Sequence, residues 1–326
     1  MSGLQVVGLG AMNLDRLYSV ERILVDGEAP VKRLASHPGG SAANTVYALA
    51  RLGISTGFVG AVGDDEAGKT LIDDLAAVNV DTSSITVKAG EGTGSTLCLT
   101  DEAGSRSIYV MAGANDSLTL ADLDMEYLQG AEGLHLSSFV GEAQLQLQQQ
   151  VAEQLGRSLR ITFAPGALYA ARGIDMLAPI LRNTHVLFVN RAEMEVLASG
   201  DFRTGARRCL SLGCQIVVTT LGNASAELVG AEGREPLAGY LLTVQGEHYI
   251  RATSAPGQTL ADTAGAGDAF AAGFLYGLTL GMDSTDCGTL AEIMARLSVV
   301  GVGARQGLPS PEVLAQEYRR CTGKAL

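Results

Sequence analysis

The segment Asp262-Thr263-Ala264-Gly265-Ala266-Gly267-Asp268 runs into the apolar stretch Ala269-Phe270-Ala271-Ala272-Gly273-Phe274-Leu275-Tyr276-Gly277-Leu278. Small residues let a backbone come close to an anion, and a helix starting at such a turn directs its unpaired N–H groups and positive dipole end at that point. Gly265, Ala266 and Gly267 can therefore form an anion hole. Asp268 falls in the first helical turn, where a carboxylate could take the proton of an attacking hydroxyl while the N–H groups hold the oxygens of a transferring phosphoryl group. A first-turn carboxylate also favours a helix start with no chemistry involved. The segment by itself leaves both uses open.

Two other glycine motifs compete with it. Val7-Gly8-Leu9-Gly10 starts like a dinucleotide fingerprint, but the third glycine would fall at Asn13, where a side chain obstructs close helix packing, and no helical pattern follows before the Gly39 region. Gly63-Asp64-Asp65-Glu66-Ala67-Gly68-Lys69-Thr70 matches the phosphate-loop pattern GxxxxGK[ST] letter for letter. Its three consecutive carboxylates would stand beside a triphosphate and repel it. The expected structure there is a strand-to-helix turn whose acids favour the helix N-terminus.

The elements that must position these residues alternate along the chain. Apolar β-type runs at Gln5–Gly8, Thr56–Ala61, Gly133–Ser137, Leu159–Phe163, His185–Val189 and Gln215–Thr220 are interleaved with helical patterns starting near Ser41, Glu66, Glu142, Arg191, Ala266, Leu290 and Pro311. That alternation predicts a mainly parallel sheet with helices packed on it, and the near-continuous apolar runs predict strands buried on both faces. Residues 13–36 and 94–110 instead read as short strands with polar faces, which we expect to form a small lid. The Gln-rich stretch Glu142–Gly156 places Leu147, Val151 and Leu155 on one face, so a crossover helix with a solvated Gln face is expected. No internal repeat or long linker divides residues 1–326, and a single domain is expected.

Composition excludes several classes of function. The 326 residues carry a net charge of −12 without a basic run, which disfavours nucleic acid and anionic membrane as partners. No uncharged apolar run reaches the ~18 residues of a membrane span. The first residues lead into a strand without a basic region or cleavage site, and cytoplasmic residence is expected. Five cysteines (Cys98, Cys209, Cys214, Cys287, Cys321) without CxxC pairing suit a reducing compartment, and the four scattered histidines form no metal pattern.

DTAGAGDAFAAGFLYGL resembles the C-terminal signature of the ribokinase-like, PfkB-type carbohydrate kinases. Pro38-Gly39-Gly40-Ser41-Ala42-Ala43-Asn44, running into TVYALARLG, is similar to that family's N-terminal signature. Asn13-Leu14-Asp15, VGDDEAGK, Arg106 with Ala112-Gly113-Ala114-Asn115-Asp116, Asn190-Arg191-Ala192-Glu193 and Thr219-Thr220-Leu221-Gly222 resemble further family segments, so the likeness covers nearly the whole chain. It implies an α/β fold with a doubly wound, mainly parallel sheet flanked by helices, and a β-strand lid over the substrate. The implied activity is ATP-dependent phosphorylation of a sugar hydroxyl.

By the same resemblance Asp268 is the general base and residues 265–267 are the anion hole. Asn13, Asp15, Gly39, Gly40, Asn44 and Arg106 hold the sugar, while Asn190, Thr220 and Gly222 meet the nucleotide. Glu193 and Asn190 position Mg²⁺ through water, Asp262 and Ala264 match positions that bind a monovalent cation such as K⁺ in some members, and a homodimer through the lid is implied. Each residue type has a plainer use as well: Asn13 and Asp15 as turn residues, Asn44 and Glu193 as partners of their own helix starts.

Two departures bear on the acceptor. The strand Gly133–Ser137 is followed by Ser138-Phe139-Val140-Gly141, with Glu142 arriving late, where ribokinase-type sequences often carry a carboxylate. Phe139 would suit a nucleoside base or a packed core. After Gly222 stand Asn223-Ala224-Ser225, where many members have a second glycine. A nucleoside kinase of the same fold, and a non-catalytic ligand-binding protein on the same scaffold, are the alternative readings.

Overall fold

The computed structural model describes residues 3–103, 105–156, 158–222, 236–253 and 262–326; the Asn223-Ala224-Ser225 departure lies outside them. In chain order the strands are β1 (Val6–Leu9), β2 (Asn13–Val20), β3 (Lys32–Gly39), β4 (Thr56–Gly63), β5 (Ile85–Lys88), β6 (Ser95–Asp101), β7 (Arg106–Met111), β8 (Gly133–Ser137), β9 (Arg160–Ala164), β10 (Thr184–Asn190), β11 (Ile216–Thr220), β12 (Leu237–Thr243) and β13 (Gly246–Arg251). The helices are α1 (Ser41–Arg51), α2 (Glu66–Ala76), α3 (Met125–Gln129), α4 (Glu142–Leu155), α5 (Gly166–Ala170), α6 (Ile174–Leu181), α7 (Arg191–Ala198), α8 (Phe202–Leu212), α9 (Ala266–Thr279), α10 (Ser284–Ser298) and α11 (Pro311–Thr322).

Nine strands form one sheet in the order β13-β12-β11-β10-β9-β8-β1-β4-β5. It is parallel from β11 to β5, and the hairpin β12–β13 is antiparallel at one edge. Its central strands bury both faces, and period-2 alternation sorts their side chains into two cores. Val7, Leu9, Leu187 and Val189 enter one cluster, whereas Val6, Val186 and Phe188 enter the other together with Phe270 and Phe274 of α9. Burial on both faces is why the strand runs read as continuous apolar segments.

The sheet reverses its winding at β1, which pairs with β4 on one side and β8 on the other. At such a switch point the connections leave in opposite directions and open a crevice beyond the carboxyl ends of the strands. Above that edge β3-β2-β6-β7 form a separate four-stranded sheet, built from residues 13–39 and 95–111. No described helix is long and apolar enough to cross a membrane.

Three local expectations change. The helical pattern expected near Leu290 starts at Ser284, because Asp283 accepts from the N–H groups of Thr285 and Asp286 and caps the helix there. The face of α4 expected to be solvated is partly core: Gln144 and Gln148 are buried, and Gln148 Nε2 donates to Ser137 O at 2.9 Å and Leu9 O at 3.2 Å. A long amide can satisfy strand-end carbonyls that no leucine could. The edge hairpin β12–β13, absent from the strand runs read in the sequence, extends the sheet by two strands.

Candidate active site

The residue that organises the site is Gly265. It caps α9 with φ of 74°, and a Cβ there would lie 2.4 Å from Ala304 Cβ, so only glycine fits this turn. No side chain caps the start of α9. Ala266 N–H makes a long turn bond of 3.3 Å to Thr263 O, and a Cβ on Gly267 would meet nothing within 4 Å. The first turn of α9 therefore opens on a cavity with its dipole pointing in.

Asp268 stands in that turn and is clamped by α1. Its Oδ1 accepts from Ser41 Oγ at 2.6 Å, and its Oδ2 from Asn44 Nδ2 at 2.8 Å. Burial raises its pKa to about 6, helped by the Asp15 charge, against the lowering effect of the two hydrogen bonds and of Arg305. A carboxylate so tuned is mostly ionised at neutral pH yet is a stronger base than an exposed one.

α1 is itself held over the crevice by tertiary bonds. Gly40 precedes it at φ 104° and offers no capping side chain, and the gap is filled by Ser137 Oγ, which accepts from Ala42 N–H at 3.0 Å. Gln148 secures the Ser137 carbonyl from behind. Thus β8 and α4 fix the angle at which Ser41 and Asn44 meet Asp268.

Under the lid, Asp15 on β2 accepts from Thr96 Oγ1 at 2.6 Å. Burial raises its pKa, offset by the Thr96 bond and by the charges of Arg305, Arg106 and His37. A Cβ on Gly39, which pairs with Asn13 across the β2–β3 ladder, would fall 2.2 Å from Asp15 Oδ2, so the glycine makes room for the carboxylate. Asn13 is buried beside it, with Oδ1 accepting from Asn115 Nδ2 at 3.1 Å; Asn115 also bonds Met12 N, Met12 O and Ala112 O.

Two cavities flank the first turn of α9. One of about 200 Å³ is lined by Ser41, Asn190, Glu193, Gly267 and Asp268. The other, about 460 Å³, is lined by Gly222, Leu237, Thr263, Ala266 and Val299, and the two share Thr220, Gly267 and Phe270. The larger falls in the range of small-molecule sites.

Asn190 and Glu193 form a reciprocal helix cap: Asn190 Oδ1 accepts from Glu193 N–H at 2.8 Å, and Glu193 Oε2 from Asn190 N–H at 2.9 Å. Burial raises the Glu193 pKa, opposed by its bonds to Asn190 and reinforced by Asp268. Glu193 and Asp268 line one cavity, and Glu193 Oε1, which has no hydrogen-bond partner among the described residues, suits a water-mediated divalent ion. No cluster of three or more His, Cys, Asp or Glu suited to a metal occurs among the described residues.

The monovalent-cation position does not fit. Asp262 Oδ1 accepts from Ala264 N–H at 2.9 Å and from Arg106 at 3.3 Å, and Oδ2 accepts from Gly303 N–H at 3.0 Å. Both oxygens already face N–H donors, and a lid guanidinium supplies the positive charge. Arg106 is thereby engaged by Asp262 through Nη1. Phe139 is buried in the core and is no platform for a base. The phosphate-loop match is a helix start: Asp65 caps α2 by accepting from Gly68 N–H, and Lys69 is 76% exposed and ion-paired with Asp73.

The sequence pattern of the pfkB family carbohydrate kinases matches residues 4–311. This chain belongs to that family. As a PfkB carbohydrate kinase it is a sugar kinase with relatives across its length. It is 36% identical over 265 residues to an uncharacterized sugar kinase of Archaeoglobus fulgidus, covering 80% of this chain and 98% of the relative. An ATP-dependent ribose-1-phosphate kinase of Halopiger xanaduensis is 28% identical over 272 residues, 83% of each chain. A putative ribokinase II from E. coli superposes with a TM-score of 0.82 at 20% identity, over 97% of this chain and 99% of that one, and so shares the PfkB fold. Ser41, Ser137, Gln148, Thr96 and Arg305 join the site through contacts between residues 81 to 261 positions apart in the chain, beyond the reach of motif spacing.

Proposed function

We propose that the protein transfers the γ-phosphoryl group of ATP to a hydroxyl of a small sugar, with Asp268 as the general base. The observation that carries this is the clamped carboxylate in the open first turn of α9, at the meeting of two cavities. Phosphoryl transfer depends on positioning and charge stabilisation. Asp15, Asn13, Gly39, Gly40 and Asn44 hold the sugar beneath the lid, which excludes water. Asp268 accepts the hydroxyl proton as the oxygen approaches phosphorus, and the N–H groups of 265–267 take up charge on the phosphoryl oxygens. Thr220 and Gly222 line the nucleotide cavity. Glu193 and Asn190 would hold Mg²⁺ through water, where the ion would supply neutralisation of phosphate charge. Five free cysteines, four of them buried, agree with a cytoplasmic setting.

The lid carries exposed apolar side chains on its two edge strands and just before β3, at Val31, Leu34, Ile108, Tyr109 and Met111. Such edges seek cover, which supports a homodimer through the lid.

ATP consumption by the purified protein with pentoses, hexoses, sugar phosphates, keto-sugar acids and nucleosides tests the reading. Product from a sugar is expected, and Asp268→Asn should lower turnover by roughly two to four powers of ten. Preference for a nucleoside would move the chain to a nucleoside kinase; ATP binding with no product from any acceptor would leave a ligand-binding protein.

A further inference from the structure

Arg305 lies in the loop between α10 and α11, outside every motif, and its side chain is almost wholly buried. Three side chains from two helices receive it. Its Nε donates to Asn44 Oδ1 at 2.9 Å, its terminal nitrogen to the Asp74 carboxylate of α2, and its guanidinium carbon lies 4.8 Å from the centre of the Tyr47 ring. Asn44, in turn, donates Nδ2 to Asp268 Oδ2 at 2.8 Å. The order Asp74, Arg305, Asn44, Asp268 is a continuous chain of hydrogen bonds into the site.

The direction of that chain is chemically determined. An amide has an oxygen that only accepts and a nitrogen that only donates, and the two can exchange places by a half-turn. A guanidinium has donors only, and an ionised carboxylate has acceptors only. Arg305 therefore draws the Asn44 oxygen to itself and leaves the nitrogen to face Asp268; the flipped amide would set donor against donor on one side and acceptor against acceptor on the other. We infer that Arg305 is a positioning residue for the proton transfer: by orienting Asn44 it holds the Asp268 carboxylate in place.

This rests on Asp268 being the base. The groups facing Asp268 are Ser41 and Asn44 from α1, Asp15 from β2, Glu193 from α7 and Arg305 from the loop; Asp15 and Glu193 are acids, so Arg305 opposes their effect. Its charge also lowers the pKa of Asp15. Nothing in the arrangement involves the nucleotide side of the site.

The test compares Arg305→Met, Arg305→Lys, Asn44→Ala and the Asn44→Ala/Arg305→Met pair in the intact enzyme. Arg305→Met should reduce kcat by roughly ten- to a hundredfold and leave KM for ATP within about twofold, since the change spares the donor cavity. The acid limb of kcat/KM should move up by about half a unit to one unit, because an opposite charge that favoured the carboxylate is gone. The double variant should be no slower than Asn44→Ala alone, the signature of two residues acting in one chain. Arg305→Lys restores the charge without the planar fork, so the limb should return most of the way while kcat stays several-fold low. Additive losses in the double variant, or a wild-type acid limb in folded Arg305→Met, would overturn the proposal. Where Arg305→Met does not fold, Arg305→Lys decides: wild-type kcat in that variant overturns it equally. An active Asp268→Asn would instead remove the base assignment, so the two failures are distinguishable.

Discussion

Asp268 combines a buried position with two hydrogen bonds that its carboxylate accepts, and the balance places its pKa at about 6. Its pKa of about 6 predicts a pH dependence with a definite sign. The ionised form is the base, so kcat/KM should rise with pH through about 6 and level off above it. A profile flat from pH 5 to 8, with a saturating nucleotide, would show that proton removal by this group does not limit the rate. Arg106 allows a second prediction at this scale. Its guanidinium already faces Asp262, so replacing K⁺ by Na⁺ or choline at constant ionic strength should change turnover by less than about twofold. Arg106→Met should make the rate sensitive to the cation; several-fold K⁺ activation of the wild type would mean that Arg106 yields its place.

At the scale of elements, α2 shows how one letter pattern can serve a different purpose. Asp65 caps the helix and is tied to Thr93 N–H at 2.9 Å, while Lys69 turns outward to Asp73. Lys69→Ala should therefore leave ATP affinity within about twofold, since the exposed ammonium pairs with Asp73 and lines neither cavity at α9; isothermal titration with nucleotide checks this, and abolished binding would restore a phosphate-loop role.

Strand β8 carries His135, fully buried, with Nδ1 2.9 Å from Thr162 Oγ1 and no partner for Nε2 among the described residues. Burial lowers its pKa from 6.5 to about 4. The unfolded chain takes up a proton there that the folded chain refuses, so stability should fall as pH drops from about 6.5 towards about 4. The loss is on the order of 3 kcal/mol. Denaturant titrations at several pH values measure it, and His135→Gln should flatten this part of the curve.

For the whole molecule, the proposed homodimer makes the lid the element to test. Ile108 and Tyr109 on β7 and Leu34 on β3 are each more than half exposed on the edges of a sheet four strands wide. Sedimentation equilibrium should give twice the 33.7 kDa chain mass, and Ile108→Lys with Tyr109→Lys should shift it to the single-chain value with wild-type folding. A monomer at all concentrations would leave the lid to cover only the sugar. Legibility in the sequence divides along the same lines. Six strand runs and six of the seven helix starts were readable because two-sided burial leaves continuous apolar runs and the change to helical periodicity marks where a helix begins. The edge hairpin was not, since a strand pair at the rim alternates weakly and borrows its register from β11.

The sequence by itself determined the sheet, the lid segments and the glycine turn before Asp268, because each depends on residue types within a few positions of one another. Only the tertiary structure decided which groups surround that carboxylate. Ser41 and Asn44 reach it across more than 220 residues, and Arg305 reaches Asn44 across 261. It also decided that a guanidinium meets Asp262, that Phe139 packs inside, and that Gln148 ties β8 to β1. The reason is physical: hydrogen-bond partners and desolvation are properties of a point in space, and residues far apart in the chain acquire them only when the sheet brings its strand ends to one edge.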